Sequence, residues 1–261
     1  VEAGAKFASA FVFRGQTNVD RPVIQPNLRV SVDAVGDTFI QASMFGNIDT
    51  QNNTGSAWFP DGHAGKFTEV DLGVSIGKSF FWEEADMGVT LTAGVETYIL
   101  PNGLEFPFGE RGNTSEVVLA AEFDILEANP YVVFHYDFDE VDGTYTTFGI
   151  REQFPLGLVA ESLGAWAITL DGSISYTSSA EASWLYGLDE AGFADLRGSM
   201  VLTYDYDDRT QLNLGVHGST IVDNTLNEWF TTLANSSSAF GANSAIADDV
   251  IWATLGVSWV F

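Results

Sequence analysis

The sequence contains no cysteine among its 261 residues, so it encodes neither a disulfide framework nor a metal site built from thiolates. Basic residues are also scarce. Ten Lys and Arg stand against 36 Asp and Glu, and the formal net charge is -26. A protein with this charge repels phosphate, which makes nucleic acid a poor partner.

Long apolar runs are absent as well. No stretch of about 18 consecutive apolar residues occurs, so no transmembrane helix is encoded. Charged residues make up only 18% of the chain and hydrophobic residues 46%. The 20 Phe, 8 Tyr and 7 Trp supply ample apolar area, which excludes an acidic disordered protein.

Apolar and other residues alternate along segments of about ten residues, a pattern typical of a transmembrane β-barrel. In IWATLGVSWVF (251–261), every second residue from Ile251 to Phe261 is apolar, and the residues between them are small, polar or mixed. A water-soluble β-sandwich also alternates, but its outer face carries many Lys and Glu. Here the polar face is rich in Gly, Ser and Thr, which favours a membrane barrel over a soluble sandwich or a lipocalin-like barrel.

Twelve such segments can be counted, and an even number lets an antiparallel meander close with both termini at one end. They cover residues 2–14, 23–35, 37–47, 66–78, 86–99, 114–125, 128–138, 143–154, 163–177, 193–206, 209–219 and 249–261. Long connections (48–65, 100–113, 178–192 and 220–248) alternate with short ones such as Val35-Gly36 and Asp207-Asp208. We therefore predict one all-β domain over residues 1–261: a single closed antiparallel transmembrane β-barrel of about 12 strands, with short periplasmic turns and long extracellular loops.

The end of the chain carries a further signal. Phenylalanine at the last position of an alternating strand resembles the C-terminal signal of outer-membrane barrel proteins, and we assign this signal to Trp259 and Phe261. The predicted location is the outer membrane of a Gram-negative bacterium. The predicted partners are outer-membrane lipid, lipopolysaccharide and, during biogenesis, the barrel-assembly machinery. The oligomeric state stays open.

Charged side chains of the twelve segments are assigned to the lumen, because a charge that faces lipid is costly. Half of the ten basic residues then face inward, among a larger number of acids. The candidates for lining or constricting the lumen are Arg14, Arg29, Glu69, Asp71, Glu96, Glu122, Arg151, Asp171 and Arg197. These residues could select solutes, or they could form ion pairs that brace the wall and plug the barrel.

The segment FVFRG (11–15) raises a specific question, because an arginine follows an aromatic run. If the first strand spans residues 2–14, alternation predicts that Phe11 and Phe13 face lipid. Arg14 then points inward near the outer mouth, and Gly15 begins the first extracellular connection.

Strand number and charge together predict the function. Twelve strands at about 4.8 Å spacing and about 40° tilt give a backbone radius on the order of 12 Å, which admits only small solutes. The acidic inner wall favours cationic or neutral solutes over anions. We predict a passive porin-like channel. The alternative is a non-conducting structural or interaction barrel with a plugged lumen, whose acidic loops bind a partner or Ca²⁺.

Catalysis is not expected, and neither is a cofactor. The sequence has three histidines, of which His135 and His217 are assigned to the lumen, whereas an outer-membrane lipase needs a histidine beside a serine on the lipid-facing wall. Neither a nucleotide-binding glycine motif nor a zinc motif occurs. Asp137, Asp139 and Asp142 resemble a fragment of a Ca²⁺ loop, but the distal glutamate is missing, and a solvated acidic turn is favoured.

Several motifs resemble the TorF-type (Gcw_chp) family of proteobacterial outer-membrane proteins. In that family an opening strand ends in Tyr/Phe-Val-Phe-Arg-Gly, followed by a polar loop, a Pro and a Gln. Here the motif reads Phe11 to Gly15, then Pro22 and Gln25; FTEVDLGVSIG (67–77), YILPNG (98–103) and TSEVVLAAEF (114–123) are also similar. The resemblance covers about the first half of the chain. It implies an outer-membrane barrel with porin-like transport and gives no substrate.

Overall fold

The computed structural model describes residues 1–52, 64–101, 105–106, 109–110, 113–125, 128–226 and 249–261. Twelve strands form a closed antiparallel barrel. They are β1 (Glu2–Ala8), β4 (Val23–Asp33), β5 (Thr38–Asp49), β6 (Phe67–Trp82), β7 (Met87–Ile99), β10 (Thr114–Ile125), β11 (Asn129–Asp137), β12 (Thr144–Pro155), β13 (Trp166–Thr177), β14 (Gly192–Asp205), β15 (Thr210–Ile221) and β16 (Asp249–Val260). Two small hairpins, β2 (Phe11–Phe13) with β3 (Gln16–Val19) and β8 (Glu105–Phe106) with β9 (Gly109–Glu110), form separate sheets.

Each barrel strand pairs with the barrel strands before and after it in the chain, and β1 closes the ring on β16. Glu2 pairs with Val260 on one side and with Arg29 on the other. The predicted fold class is therefore confirmed. No helix in the described part of the chain is long and apolar enough to cross a membrane.

The outer face of the barrel is apolar and exposed. Val74, Ile76 and Leu255 are 62%, 52% and 60% exposed, respectively, and the other outward positions of the same strands are also mostly apolar. Such a surface is much larger than the apolar patches of soluble monomers and requires an apolar surrounding.

The two ends of the barrel differ. At the short-turn end, brief connections such as residues 34–37, 83–86 and 206–209 join consecutive strands, with two short 3-10 turns between β12 and β13. At the long-loop end lie residues 9–22 and 178–191, and the predicted long connections at 53–63 and 227–248 fall outside the described residues. The predicted alternation of short and long connections agrees with this arrangement.

The first strand is shorter than predicted. It ends at Ala8, and β2 and β3 fold back into the barrel as a hairpin. Arg14 and Gly15 form its two-residue turn with φ values of 47° and 79°, the combination that a type I′ turn requires. Gly15 supplies this backbone at no steric cost, and it lies in the buried turn of the hairpin instead of starting an external loop.

The prediction that Phe11 and Phe13 face lipid is wrong. Phe11 is buried in a cluster with Ala8, Val19 and Val23, and Phe13 packs against the same cluster. Phe13 also contacts Tyr98 of β7 edge to face, with ring centroids 5.7 Å apart. The apolar face of the hairpin therefore forms part of an internal core.

A second inserted element follows β13. Helix α1 (Ser179–Tyr186) begins at the N-cap Ser178, whose hydroxyl accepts the Glu181 backbone N–H, and Gly187 with φ 75° ends it. The helix buries Ala182, Leu185 and Tyr186 in a core whose other buried members are Tyr145, Ala194, Ile221 and Leu226. The packed apolar core of this protein thus lies at the long-loop end, where the sequence predicted only a loop.

Candidate functional site

The hairpin of residues Phe11–Val19 and helix α1 are together called the plug. Arg14 holds them to the wall: its Nη1 donates to Glu181 Oε1 at 2.6 Å, and its Nη2 donates to Glu116 Oε2 at 2.7 Å. The guanidinium lies 4.6 Å from the ring centroid of Tyr145. Arg14 is only 5% exposed, so this is a buried, charge-assisted network and not a surface ion pair.

Glu116 collects further donors from the wall. His135 Nδ1 lies 2.9 Å from Glu116 Oε2, and the Tyr98 hydroxyl donates to the same oxygen at 3.1 Å. Together with Arg14, the Glu116 carboxylate therefore has three hydrogen-bond donors from three different elements. A buried carboxylate is tolerated only when it is hydrogen-bonded and paired in this way.

The two parts of the plug also bind each other directly. The Tyr186 hydroxyl donates to the Arg14 carbonyl oxygen at 2.8 Å, and the Gln16 side-chain amide donates to the Leu185 carbonyl. A gap of only about 20 Å³ remains between the hairpin, α1 and strands β6, β7 and β10. This is room for about one water molecule. The plug therefore fills this side of the lumen.

Burial shapes the electrostatics of the plug. It raises the pKa of Glu181, and Arg14 opposes this shift by its positive charge. Glu116 and Asp137 act in the same direction as burial, because they place negative charge near Glu181. Glu181 is therefore the plug carboxylate that is held in place chiefly by Arg14.

Four of the five acidic candidates lie along one side of the inner wall, and the fifth, Asp171, lies on β13. Glu69 and Asp71 of β6, Glu96 of β7 and Glu116 of β10 share the inward face near the plug, since Glu116 pairs with Glu96 and Asp71 pairs with Tyr98. Glu122 lies on the same face of β10 nearer the short-turn end, where its side chain is exposed. Together these carboxylates give the described wall an acidic side.

Two of the three basic candidates of the wall lie on β12 and β14, which together with β13 are called the basic arc. Arg151 Nε donates to Asp171 Oδ2 at 2.9 Å, and Arg197 Nε lies 2.8 Å from Asp195 Oδ2 in an ion pair without a well-aligned hydrogen bond. Arg197 Nη2 donates instead to Thr147 and Ser175, at 3.3 Å and 3.2 Å. Arg29 faces the lumen from β4, beside Glu2 and Ser43. All nine candidates thus point into the barrel, eight from the wall and Arg14 from the hairpin.

Below the plug, the basic arc encloses a cavity of about 350 Å³. The Tyr131 hydroxyl donates to both Asp171 oxygens, at 3.1 Å and 3.3 Å, and the Arg151 guanidinium lies 5.2 Å from the centroid of the Tyr131 ring. The cavity is lined by aromatic, hydroxyl and charged residues: Tyr131, Val133, His135, Thr147, Arg151, Asp171, Ser173, Arg197, Gly198, Ser199, His217, Gly218 and Trp252. The polar groups of this lining can donate to and accept from a hydrophilic ligand.

Two rings form one wall of this cavity. His217 of β15 and Trp252 of β16 stack with centroids 5.1 Å apart and an interplanar angle of 17°. The His217 Nε2 atom lies 3.0 Å from the Thr254 hydroxyl oxygen, which fixes the ring plane. The stacked pair therefore adds aromatic surface to the lining of the cavity.

The acidic turn after β11 is held by its own hydrogen bonds. Asp137 Oδ1 accepts the backbone N–H groups of Asp139 and Val141, at 3.0 Å and 3.1 Å, and its other oxygen accepts from the Thr114 hydroxyl. Asp142 accepts from the Tyr136 hydroxyl at 2.7 Å. Among the described residues, no three potential ligands form a metal cluster. Ca²⁺ binding at this turn stays a prediction.

Sequence reasoning missed Glu181 and the helix that carries it. The sequence contains the signal, because Ser178-x-x-Glu181 has the spacing of a capping box, and glycine follows the helix. It also missed the stacked pair of His217 and Trp252, since pairing across strands depends on register. Trp259 and Phe261 lie on the outward face of the C-terminal segment, as alternation predicts.

A closed barrel with an apolar outer face, a polar inner face and twelve antiparallel strands belongs to the architecture of outer-membrane barrels. No protein-family model matches the chain, and no curated protein matches it. The resemblance to the TorF-type family therefore stays a prediction.

Solved structures resemble the chain over its whole length. The NanC porin has a TM-score of 0.54 at 11% identity, covering 99% of this chain and 100% of its own. An outer-membrane channel from Pseudomonas putida F1 has a TM-score of 0.52 at 10% identity, covering 100% and 94%. The KdgM porin in complex with disordered oligogalacturonate has a TM-score of 0.51 at 10% identity, covering 100% and 99%. At such identities the likeness shows the fold alone: a closed antiparallel barrel like those of these porins.

Proposed function

We propose that this protein is a porin-like channel of the outer membrane that passes small hydrophilic solutes, cationic or neutral, through a lumen narrowed by the plug. The acidic side of the inner wall, with Glu96 beside the plug and Glu122 below it, carries this proposal. Fixed negative charge in a narrow lumen concentrates cations and excludes anions.

The open half of the barrel supports conduction. Arg151 has a side-chain exposure of 54%, although it points inward, so water reaches it from the short-turn end. In the expected orientation this end is periplasmic and the plug lies near the outer mouth. The plug would then set the resistance of the channel.

The test is conductance in planar bilayers. The purified protein should give stepwise current increases, and the reversal potential in a KCl gradient should show cation preference. Complete electrical silence would contradict the proposal, and anion preference would contradict its charge argument.

A second candidate is a non-conducting barrel, and the tight packing of the plug favours it. The gap of about 20 Å³ beside the hairpin is too narrow for a hydrated solute. In this case the acidic loops would bind a partner or Ca²⁺. A silent wild-type protein that conducts after the plug is released would support this candidate.

A further inference from the structure

The cavity below the plug has the chemistry of a binding site. Its volume of about 350 Å³ lies within the range of small-molecule pockets. It is reached from the open half of the lumen, since Arg151 at its edge is exposed to water. A solute that enters from the short-turn end meets this cavity before the plug.

The guanidinium groups that line the cavity are already paired. Arg151 is bound by Asp171 and Arg197 by Asp195. An ionic ligand would have to compete with these pairs, and it would lose hydration without finding an unpaired guanidinium or carboxylate group among the lining residues. The charges therefore favour a neutral ligand that uses the spare hydrogen-bonding capacity of the same groups.

That capacity is considerable. Among the described residues, the side chain of Arg151 makes its one hydrogen bond through Nε to Asp171, so its two Nη groups remain available as donors. Ser173 and Ser199 of the lining add hydroxyl groups, and the carboxylate of Asp171 can accept. A ligand that carries several hydroxyl groups on a compact frame can replace the water that these groups hold.

The stacked rings of His217 and Trp252 add aromatic surface to the lining. A ring-shaped ligand can lay its C–H face on such a surface while its hydroxyl groups point to the polar side of the cavity. An aromatic face opposite paired guanidinium and carboxylate groups suits a sugar ring.

We propose that this cavity binds one unit of a neutral saccharide. A neutral saccharide would then be a solute of the proposed channel, and the proposal rests on the proposed function only for the route by which the saccharide enters. Binding in the open half of the lumen does not require passage through the plug. The site is defined by Trp252, His217, Arg151, Asp171 and Tyr131.

The test uses three probes that share one ring: methyl glucoside, glucuronate and glucosamine, which are neutral, anionic and cationic. Saturation-transfer NMR on the detergent-solubilised full chain reports binding. The expected order is methyl glucoside above both charged probes. Stronger binding of either charged probe, or no binding of any, overturns the inference.

Variants locate the site. Trp252→Ala should weaken methyl glucoside binding by about three- to tenfold, in line with the loss of one aromatic contact. The matched control is Trp166→Ala, since Trp166 packs on Tyr204 with centroids 4.5 Å apart on the outer face. Equal loss in both variants overturns the assignment. If Trp252→Ala does not fold, Tyr131→Phe removes only the hydroxyl that binds Asp171, and unchanged binding in that variant overturns the site.

Binding and conduction are separable. Methyl glucoside binding by an electrically silent protein supports the saccharide site and contradicts the channel. Cation-selective conductance without binding of any probe supports the channel and overturns the saccharide site.

Discussion

Arg14 and Glu181 are separated by 167 positions in the sequence, and their side chains meet at 2.6 Å inside the barrel. The contact joins the β2–β3 hairpin to helix α1, and the second guanidinium nitrogen ties both to Glu116 of the wall. Two connections that are far apart in the chain therefore act as one plug. Loss of the guanidinium should affect both at once.

The first prediction concerns Arg14→Ala. The substitution leaves Glu116 and Glu181 as buried carboxylates without their cation, at a cost of about 3–5 kcal/mol to the docked plug. We expect the plug to leave the lumen and the single-channel conductance to rise, while the barrel itself still forms. Bilayer recordings measure the conductance. The heat-dependent shift in electrophoretic mobility shows whether the barrel has folded.

Arg21→Ala is the control for this experiment. Among the residues that the structure describes, Arg21 forms an ion pair only with its neighbour Asp20, at 3.2 Å, and its side chain is 38% exposed. This variant should conduct like the wild type. If Arg14→Ala keeps wild-type conductance and loses only stability, Arg14 merely braces the wall.

The second prediction is a pH dependence of the plug. Burial raises the pKa of Glu181 above its ordinary value of 4.5, so the docked helix binds a proton more tightly than the undocked helix. By linkage, the docked state gains stability as pH falls through the raised pKa and loses it as pH rises. We expect conductance to decrease on acidification in a window just above pH 4.5.

Glu181→Gln isolates this effect, because Arg14, Glu116 and Asp137 remain around the position. In this variant the conductance should lose the part of its pH dependence that comes from Glu181. Any pH dependence that remains comes from other titratable groups. An identical pH profile in variant and wild type would mean that Glu181 does not control docking.

The barrel could be predicted from sequence because its cause is local. In segments such as 251–261, lipid on one side and a polar lumen on the other impose a period of two, and eleven of the twelve predicted segments correspond closely to strands. The inward direction of Arg151, Asp171 and Arg197 follows from the same rule, since a charge in lipid is costly.

The plug could not be predicted in this way. Lipid and a packed core both select apolar side chains, so alternation cannot tell a lipid-facing Phe11 from a buried one. The Arg14-Gly15 turn was the available clue, because a residue followed by glycine between apolar runs is a hairpin signal. The contact of Arg14 with Glu181 depends on how two distant loops pack, and no local pattern encodes that.

The third prediction uses glycine to move one wall residue. A Cβ on Gly149 would lie 2.3 Å from Tyr131 Cζ, so Gly149→Ala must displace the Tyr131 ring from Asp171. The loss of that hydrogen bond should cost about 1 kcal/mol and weaken methyl glucoside binding about fivefold. Gly172→Ala on the neighbouring strand has no atom within 4 Å of the new Cβ and should bind normally. Comparable binding by the two variants would show that Tyr131 does not shape the cavity.

The fourth prediction concerns ion selectivity. Glu122 faces the open half of the lumen, and its side chain is exposed, so Glu122→Lys should fold and reverse one charge on the conduction path. The added positive charge makes the electrostatic potential of the lumen less negative. We therefore expect the reversal potential in a KCl gradient to move toward anion preference, and the shift should be larger at low salt, where screening is weaker. Glu161→Lys introduces the same change on an exposed 3-10 turn at the short-turn end, beyond the wall strands. Equal shifts in the two variants would indicate that total charge, rather than the inner wall, sets the selectivity.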